Sequence, residues 1–264
     1  FEPIWAAVCE TWRQPAHVQH AVIQEARAIV ADYVGAPPSE YDVIFTANTT
    51  EAINLVAEST GRAGEARHHS VVINTLLEHN SNELPWRTVP GASLARLPMD
   101  AEGFLDLGQL ETWLRAHGED GDHGATRVSL VAVSGASNVL GVFNDVAGIA
   151  QVAHRHGARL LVDAAQLVAH RKVDMAGSGI DYLAFSAHKA YAPFGTGVLV
   201  ARKGLLEFSP AEMEGIRSAG EENVGGIAAL GKALVLLQRI GLDVIQEEER
   251  ALTARALLGL KRVP

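Results

Sequence analysis

The stretch Arg159-Leu160-Leu161-Val162-Asp163-Ala164-Ala165-Gln166 decides the fold. Its successive apolar residues do not alternate with polar ones, so 159–162 reads as a strand buried on both faces and closed by a carboxylate. Working outward, apolar runs of the same kind recur at 43–45, 71–73, 128–133, 182–185 and 198–200. Between them lie helical spacings at 16–34, 51–57, 107–116, 144–156 and 223–240, the first ended by Gly35 with Pro37 and Pro38. Thr49 and Thr50 precede the second helix and read as its hydroxyl caps. Buried strands alternating with helices predict an α/β fold with a mostly parallel sheet.

In such a sheet ligands sit beyond the carboxyl ends of the strands, so the residues that carry chemistry are expected directly after the apolar runs. Polar residues stand there in five places: Thr49 and Thr50; Glu78-His79-Asn80; Ser137-Asn138; Asp163 and Gln166; and Ser186-Ala187-His188-Lys189. Five strand ends converge on one site.

Composition narrows the class. The 264 residues carry a net charge of −9 and are 48% hydrophobic, enough for one large domain with a substantial core. With 7 Phe, 4 Tyr and 4 Trp, that core rests on Ala, Val, Leu and Ile. Neither a basic run nor a basic half is present, which argues against nucleic acid as a partner. No apolar run approaches the ~20 residues of a spanning helix, so no membrane segment is expected. Cys9, the single cysteine, has no internal disulfide partner, and a reducing, cytoplasmic location is the expectation. The chain opens on Phe1 without an initiator Met and stops after a helical pattern, which reads as truncation at both ends.

Minor signals resolve to structure. His17 and His20 share a helical face but lack a second pair of ligands, so no metal site is expected. The acid-rich loop 118–124 lacks the closing glutamate of a calcium loop. Gly195-Thr196-Gly197 precedes a strand instead of following one, unlike a dinucleotide fingerprint.

The ordered motifs Phe45-Thr46-Ala47-Asn48-Thr49-Thr50-Glu51-Ala52, Glu78-His79-Asn80-Ser81-Asn82, Ser137-Asn138-Val139-Leu140-Gly141, Val162-Asp163-Ala164-Ala165-Gln166 and Ser186-Ala187-His188-Lys189 resemble those of the class V aminotransferase family. These are pyridoxal 5′-phosphate enzymes of fold type I. The stretch 165–170 with Val173-Asp174 is most similar to group II cysteine desulfurases and selenocysteine lyases. The resemblance implies the three-layer large domain of that fold over 1–240, with 241–264 a helix leading toward a C-terminal small domain that is largely absent.

The resemblance also implies roles. Lys189 would hold the cofactor as a Schiff base and then act as acid and base. Asp163 would face the pyridine nitrogen; a buried charge needs a partner, so a cation is expected beside it. His79 would stack on the ring and handle substrate protons. Gln166 and Asn138 would reach the phenolic oxygen, beside Ala165. Thr50, Ser186 and His188, with Thr49 nearby, would hold the phosphate at a helix N-terminus. The substrate would be a small amino acid, the assembly a homodimer, and the sulfur acceptor another protein. The loop cysteine and the carboxylate-binding arginine of desulfurases belong to the C-terminal part and are not found here.

Three positions depart from the family: Ala192 stands for the glycine of its Tyr-Gly-Pro turn, Asn48 for a glycine before the two threonines, and Glu221 for a threonine that reaches the partner subunit's cofactor. The segment 203–220 is shorter. Other class V reactions, transamination or epimerisation, use the same cofactor and form the rival expectation, with a non-catalytic scaffold a third.

Overall fold

The computed structural model describes residues 2–66, 70–117, 127–193 and 195–263. Seven strands form one sheet: β1 (Tyr41–Thr46), β2 (Ser70–Thr75), β3 (Ala92–Leu97), β4 (Arg127–Ser134), β5 (Arg159–Asp163), β6 (Tyr182–Ser186) and β7 (Gly197–Arg202). Their order is β1-β7-β6-β5-β4-β2-β3. Strand β7 runs antiparallel to both neighbours, β1 and β6, and every other pairing is parallel. This is the mostly parallel α/β sheet expected from the uninterrupted apolar runs.

Alternate residues of each strand feed two cores. On one face Ile44, Val72, Leu130, Leu161 and Leu199 pack against Ala52, Ile53 and Val56 of α3 (Thr49–Ala66). On the other, Phe45, Ile73, Val131, Val133, Val162 and Phe185 meet a helical layer. That layer includes α2 (Ala16–Tyr33), α4 (Leu107–Ala116), α5 (Val146–Arg155) and α8 (Val224–Ile240). The result is three layers, each fully buried Leu, Ile or Phe contributing roughly 1.5–3 kcal/mol.

Three elements, β3, α1 (Glu2–Thr11) and α7 (Pro210–Gly220), depart from the sequence reading, while α9 (Leu242–Leu260) falls within the helix expected over 241–264. Strand β3 is an edge strand with mixed exposure, and its Ala92-Ser93-Leu94-Ala95-Arg96-Leu97 has no apolar run to reveal it. Helices α1, α7 and α9 bury almost nothing: Ile4 and Thr11 in α1, and no residue in α7 or α9. Without a buried stripe, helical periodicity is weak. A short α6 (Met175–Ser178) caps on Asp174.

The expected threonine caps are corrected. Helix α3 already includes Thr49 and Thr50, and the side chain that caps it is Asn48, whose Oδ1 accepts from Glu51 N at 3.0 Å. Glu51 in turn accepts from the Ala47 amide. An asparagine is as good a cap as threonine, and this arrangement releases both threonine hydroxyls for other partners. Residues 118–124, with the calcium-like acid spacing, lie outside the described residues. Among the described residues no helix is long and apolar enough to cross a membrane, and no cluster of His, Cys, Asp and Glu is placed to hold a metal ion.

Candidate active site

Strand register sets the site level across the sheet. Gly197 of β7 pairs with both Thr46 and Ser186, and Asp163 pairs with both Ser134 and Ala184. Strands β2 and β4 are neighbours, yet β2 leads to β3 on its far side while β4 leads to β5 on the other. The chain direction therefore reverses between β2 and β4, where an open α/β sheet leaves a crevice.

A cleft of about 380 Å³ opens at these strand ends. All ten residues singled out from the sequence line it. Thr49 and Thr50 come from the start of α3, His79 from the loop after β2, and Asn138 from the loop after β4. Asp163, Ala165 and Gln166 follow β5, and Ser186, His188 and Lys189 follow β6. Asn48, Ser81, Ser134 and Ala136 complete the lining and were missed as site residues. Ser134 obeyed the rule that found the others, since it ends the apolar run 128–133, and Ser81 stood inside the quoted His79 stretch.

One wall is an anion-ready corner. Ser186 Oγ accepts from Thr49 N at 2.8 Å and shares a hydrogen bond with Thr49 Oγ1 at 2.6 Å. The turn before α3 lies hard against β7: a Cβ on Gly197 would fall 2.5 Å from backbone atoms of Asn48. Glycine is therefore required there, on grounds of space. The positive end of the α3 dipole and these hydroxyls together suit a negatively charged group.

From the neighbouring Thr50 runs a relay of polar side chains. Thr50 Oγ1 meets Ser81 Oγ at 2.7 Å, and Ser81 Oγ meets His79 Nδ1 at 2.9 Å. Ser81 N also donates to His79 Nδ1 at 3.1 Å, so this ring nitrogen accepts and the neutral ring carries its proton on Nε2.

Asp163, 5% exposed, also lines the cleft, and among the described residues its one hydrogen-bond donor is Ala165 N at 3.0 Å. Burial pushes its carboxyl up to about 6, against the downward pull of that amide. Lys189 is exposed to the cleft at the end of a 3₁₀ turn, Ala187–Ala190. The turn closes on Tyr191 at φ 66, the one non-glycine residue with positive φ among the described residues. Burial, then the charge of Lys189, lowers the His188 imidazole from its ordinary value.

The departure at Glu221 acquires a physical account. Glu221 turns away from the cleft to pair with Arg27, which also donates to Val43 O and lies 5.2 Å over the Phe45 ring. Cys9 lies on α1 and does not line the cleft.

Comparisons with known proteins bear on family and fold. The chain is 38% identical over 267 residues to a cysteine desulfurase of Dickeya dadantii, covering 92% of this chain and 62% of that protein. It is 37% identical over 254 residues to a probable cysteine desulfurase of Halalkalibacterium halodurans, covering 88% of this chain and 60% of the relative. The chain thus spans a little under two thirds of the length of these curated relatives. Among solved structures, the apo cysteine desulfurase of Thermococcus onnurineus NA1 superposes with a TM-score of 0.84 at 30% identity, over 98% of this chain and 70% of that one. Residues 5–264 match the class V aminotransferase pattern, and the chain belongs to that family.

Proposed function

We propose that this chain is the pyridoxal 5′-phosphate-binding part of an enzyme of the cysteine desulfurase or selenocysteine lyase type. The observation that carries the reading is Asp163, a buried carboxylate with one amide donor, placed in the same cleft as an exposed lysine. Among the described residues no cation is paired with this carboxylate, and a protonated pyridine nitrogen would supply one. The donor set fits the rest of the cofactor: Thr50, Ser186 and His188 at the helix N-terminus for phosphate, with Thr49 fixing Ser186, and Gln166 and Asn138 for the phenolic oxygen.

When bound, the cofactor supplies an electron sink for charge developing on the substrate α-carbon. The protein's part follows from its side chains. Lys189 would hold the cofactor and move protons at Nζ. Asp163, oriented by Ala165 N, would stand as the anion for a protonated ring nitrogen. His79, its Nδ1 held by Ser81, would have Nε2 left to handle substrate protons. Residues 1–240 form the cofactor domain and 241–264 lead out of it. Two copies associate, sulfur passes from a small amino acid to an acceptor protein, and the enzyme works in the cytoplasm.

The relatives' names support sulfur chemistry over transamination. The complete protein is expected to release sulfide and alanine from cysteine in the presence of a reductant. Amino transfer to pyruvate without sulfide release would overturn the desulfurase reading.

A further inference from the structure

Behind the cleft, Glu78 holds a position that no step above uses. Its carboxylate gathers three side-chain donors at 2.7 Å each: Thr75 Oγ1 on Oε1, and Asn82 Nδ2 and Ser134 Oγ on Oε2. They come from three places, the end of β2, the 3₁₀ turn Asn80–Asn82, and the end of β4. Asn82 is fully buried and is held in turn by Trp86 Nε1 at 3.1 Å and, through its carbonyl, by Asn74 Nδ2 at 3.1 Å. Glu78 therefore links the ends of β2 and β4 and ties to them Asn82, the last residue of the turn that follows His79.

His79 is exposed, and among the described residues its ring's hydrogen bonds run through Ser81 and from there to Thr50, also near the surface. Exposed neutral hydrogen bonds are weakened by competing water, whereas bonds to a half-buried carboxylate are stronger. The force that keeps the 79–82 turn in register with the sheet thus lies at Glu78. Enclosure pushes its carboxyl up, while the bonds from Thr75, Ser134 and Asn82 pull it down.

We propose that Glu78 is a positioning residue for His79, a carboxylate clamp that fixes the imidazole at the cleft wall by tying its turn to the ends of β2 and β4. The inference rests on the reading of His79 as a ring-stacking group, but its first test does not need the cofactor. In the protein without cofactor, the ¹⁵N shifts of the His79 imidazole, assigned with His79→Gln, are expected to report a single Nε2–H tautomer. Glu78→Leu is expected to shift them toward mixed tautomers. Glu78→Gln, which keeps an acceptor toward Asn82 and can donate to the Thr75 hydroxyl, is expected to restore the wild-type shifts.

Should Glu78→Leu not fold, Thr75→Val and Ser134→Ala each remove one donor and are expected to give the same shift in smaller measure. A folded Glu78→Leu with unchanged His79 signals, or unchanged signals in both single-donor variants, overturns the clamp. A second arm titrates pyridoxal 5′-phosphate: wild type and Glu78→Gln should share one visible circular-dichroism band that Glu78→Leu loses, as His79→Ala does. Retention of that band in Glu78→Leu also overturns the clamp. Absence of any band in wild type defeats the cofactor reading instead and leaves the tautomer result to decide the clamp.

Discussion

Thr49 and Ser186, 137 positions apart in the chain, form one hydrogen-bonded unit: the Thr49 amide lies 2.8 Å and its hydroxyl 2.6 Å from Ser186 Oγ. Because both residues are buried, neither can exchange this contact for water. Ser186→Ala leaves the Thr49 amide without its acceptor and is expected to destabilise the fold by about 1–3 kcal/mol. The same variant should weaken pyridoxal 5′-phosphate binding about tenfold or more, which an absorbance titration and a denaturant melt measure side by side.

Asp163 makes stability depend on pH in a defined direction. Its carboxyl titrates near 6 in the folded chain against a reference of 3.8, so between those values the folded state holds a proton that the unfolded state has released. Stability without cofactor therefore falls as pH rises from about 4 to 6, by up to ~3 kcal/mol. Asp163→Asn removes that loss. It should be more stable than wild type at pH 8 and show no such gain at pH 3, while binding the cofactor more weakly. Urea unfolding at the two pH values tests the sign; a variant equally stabilised at both would refute it.

Two glycines are expected to respond in opposite ways. Gly197→Ala drives a Cβ to 2.5 Å from the Asn48 backbone, displacing the turn that caps α3, and should lower both melting temperature and cofactor affinity. Gly215→Ala, within α7, meets nothing within 4 Å and should stabilise by about 0.5–1 kcal/mol with affinity unchanged. Calorimetry of the pair checks both signs.

The sequence exposed this fold where burial was two-sided. Runs such as 128–133 and 159–162 could only be interior strands, and polar residues directly after them located the cleft. What stayed hidden lacked that signature. Strand β3 at the sheet edge mixes Ser93 and Arg96 with apolar residues, and α7 buries no residue to impose a period. Asn48 looked like a departure from a glycine pattern, and its value as the α3 cap emerges only when Glu51 N is seen 3.0 Å from its side chain. The clamp at Glu78 depends on Ser134, 56 positions away, and no local pattern connects the two.

Lys189 and Asp163 are proposed to face one bound pyridoxal 5′-phosphate. Borohydride reduction of the protein mixed with that cofactor, followed by peptide mass spectrometry, tests this pairing. A pyridoxyl adduct confined to the peptide carrying Lys189 is expected, absent in Lys189→Ala and diminished in Asp163→Asn. An adduct spread over surface lysines, or none at Lys189 in a folded protein, would contradict it.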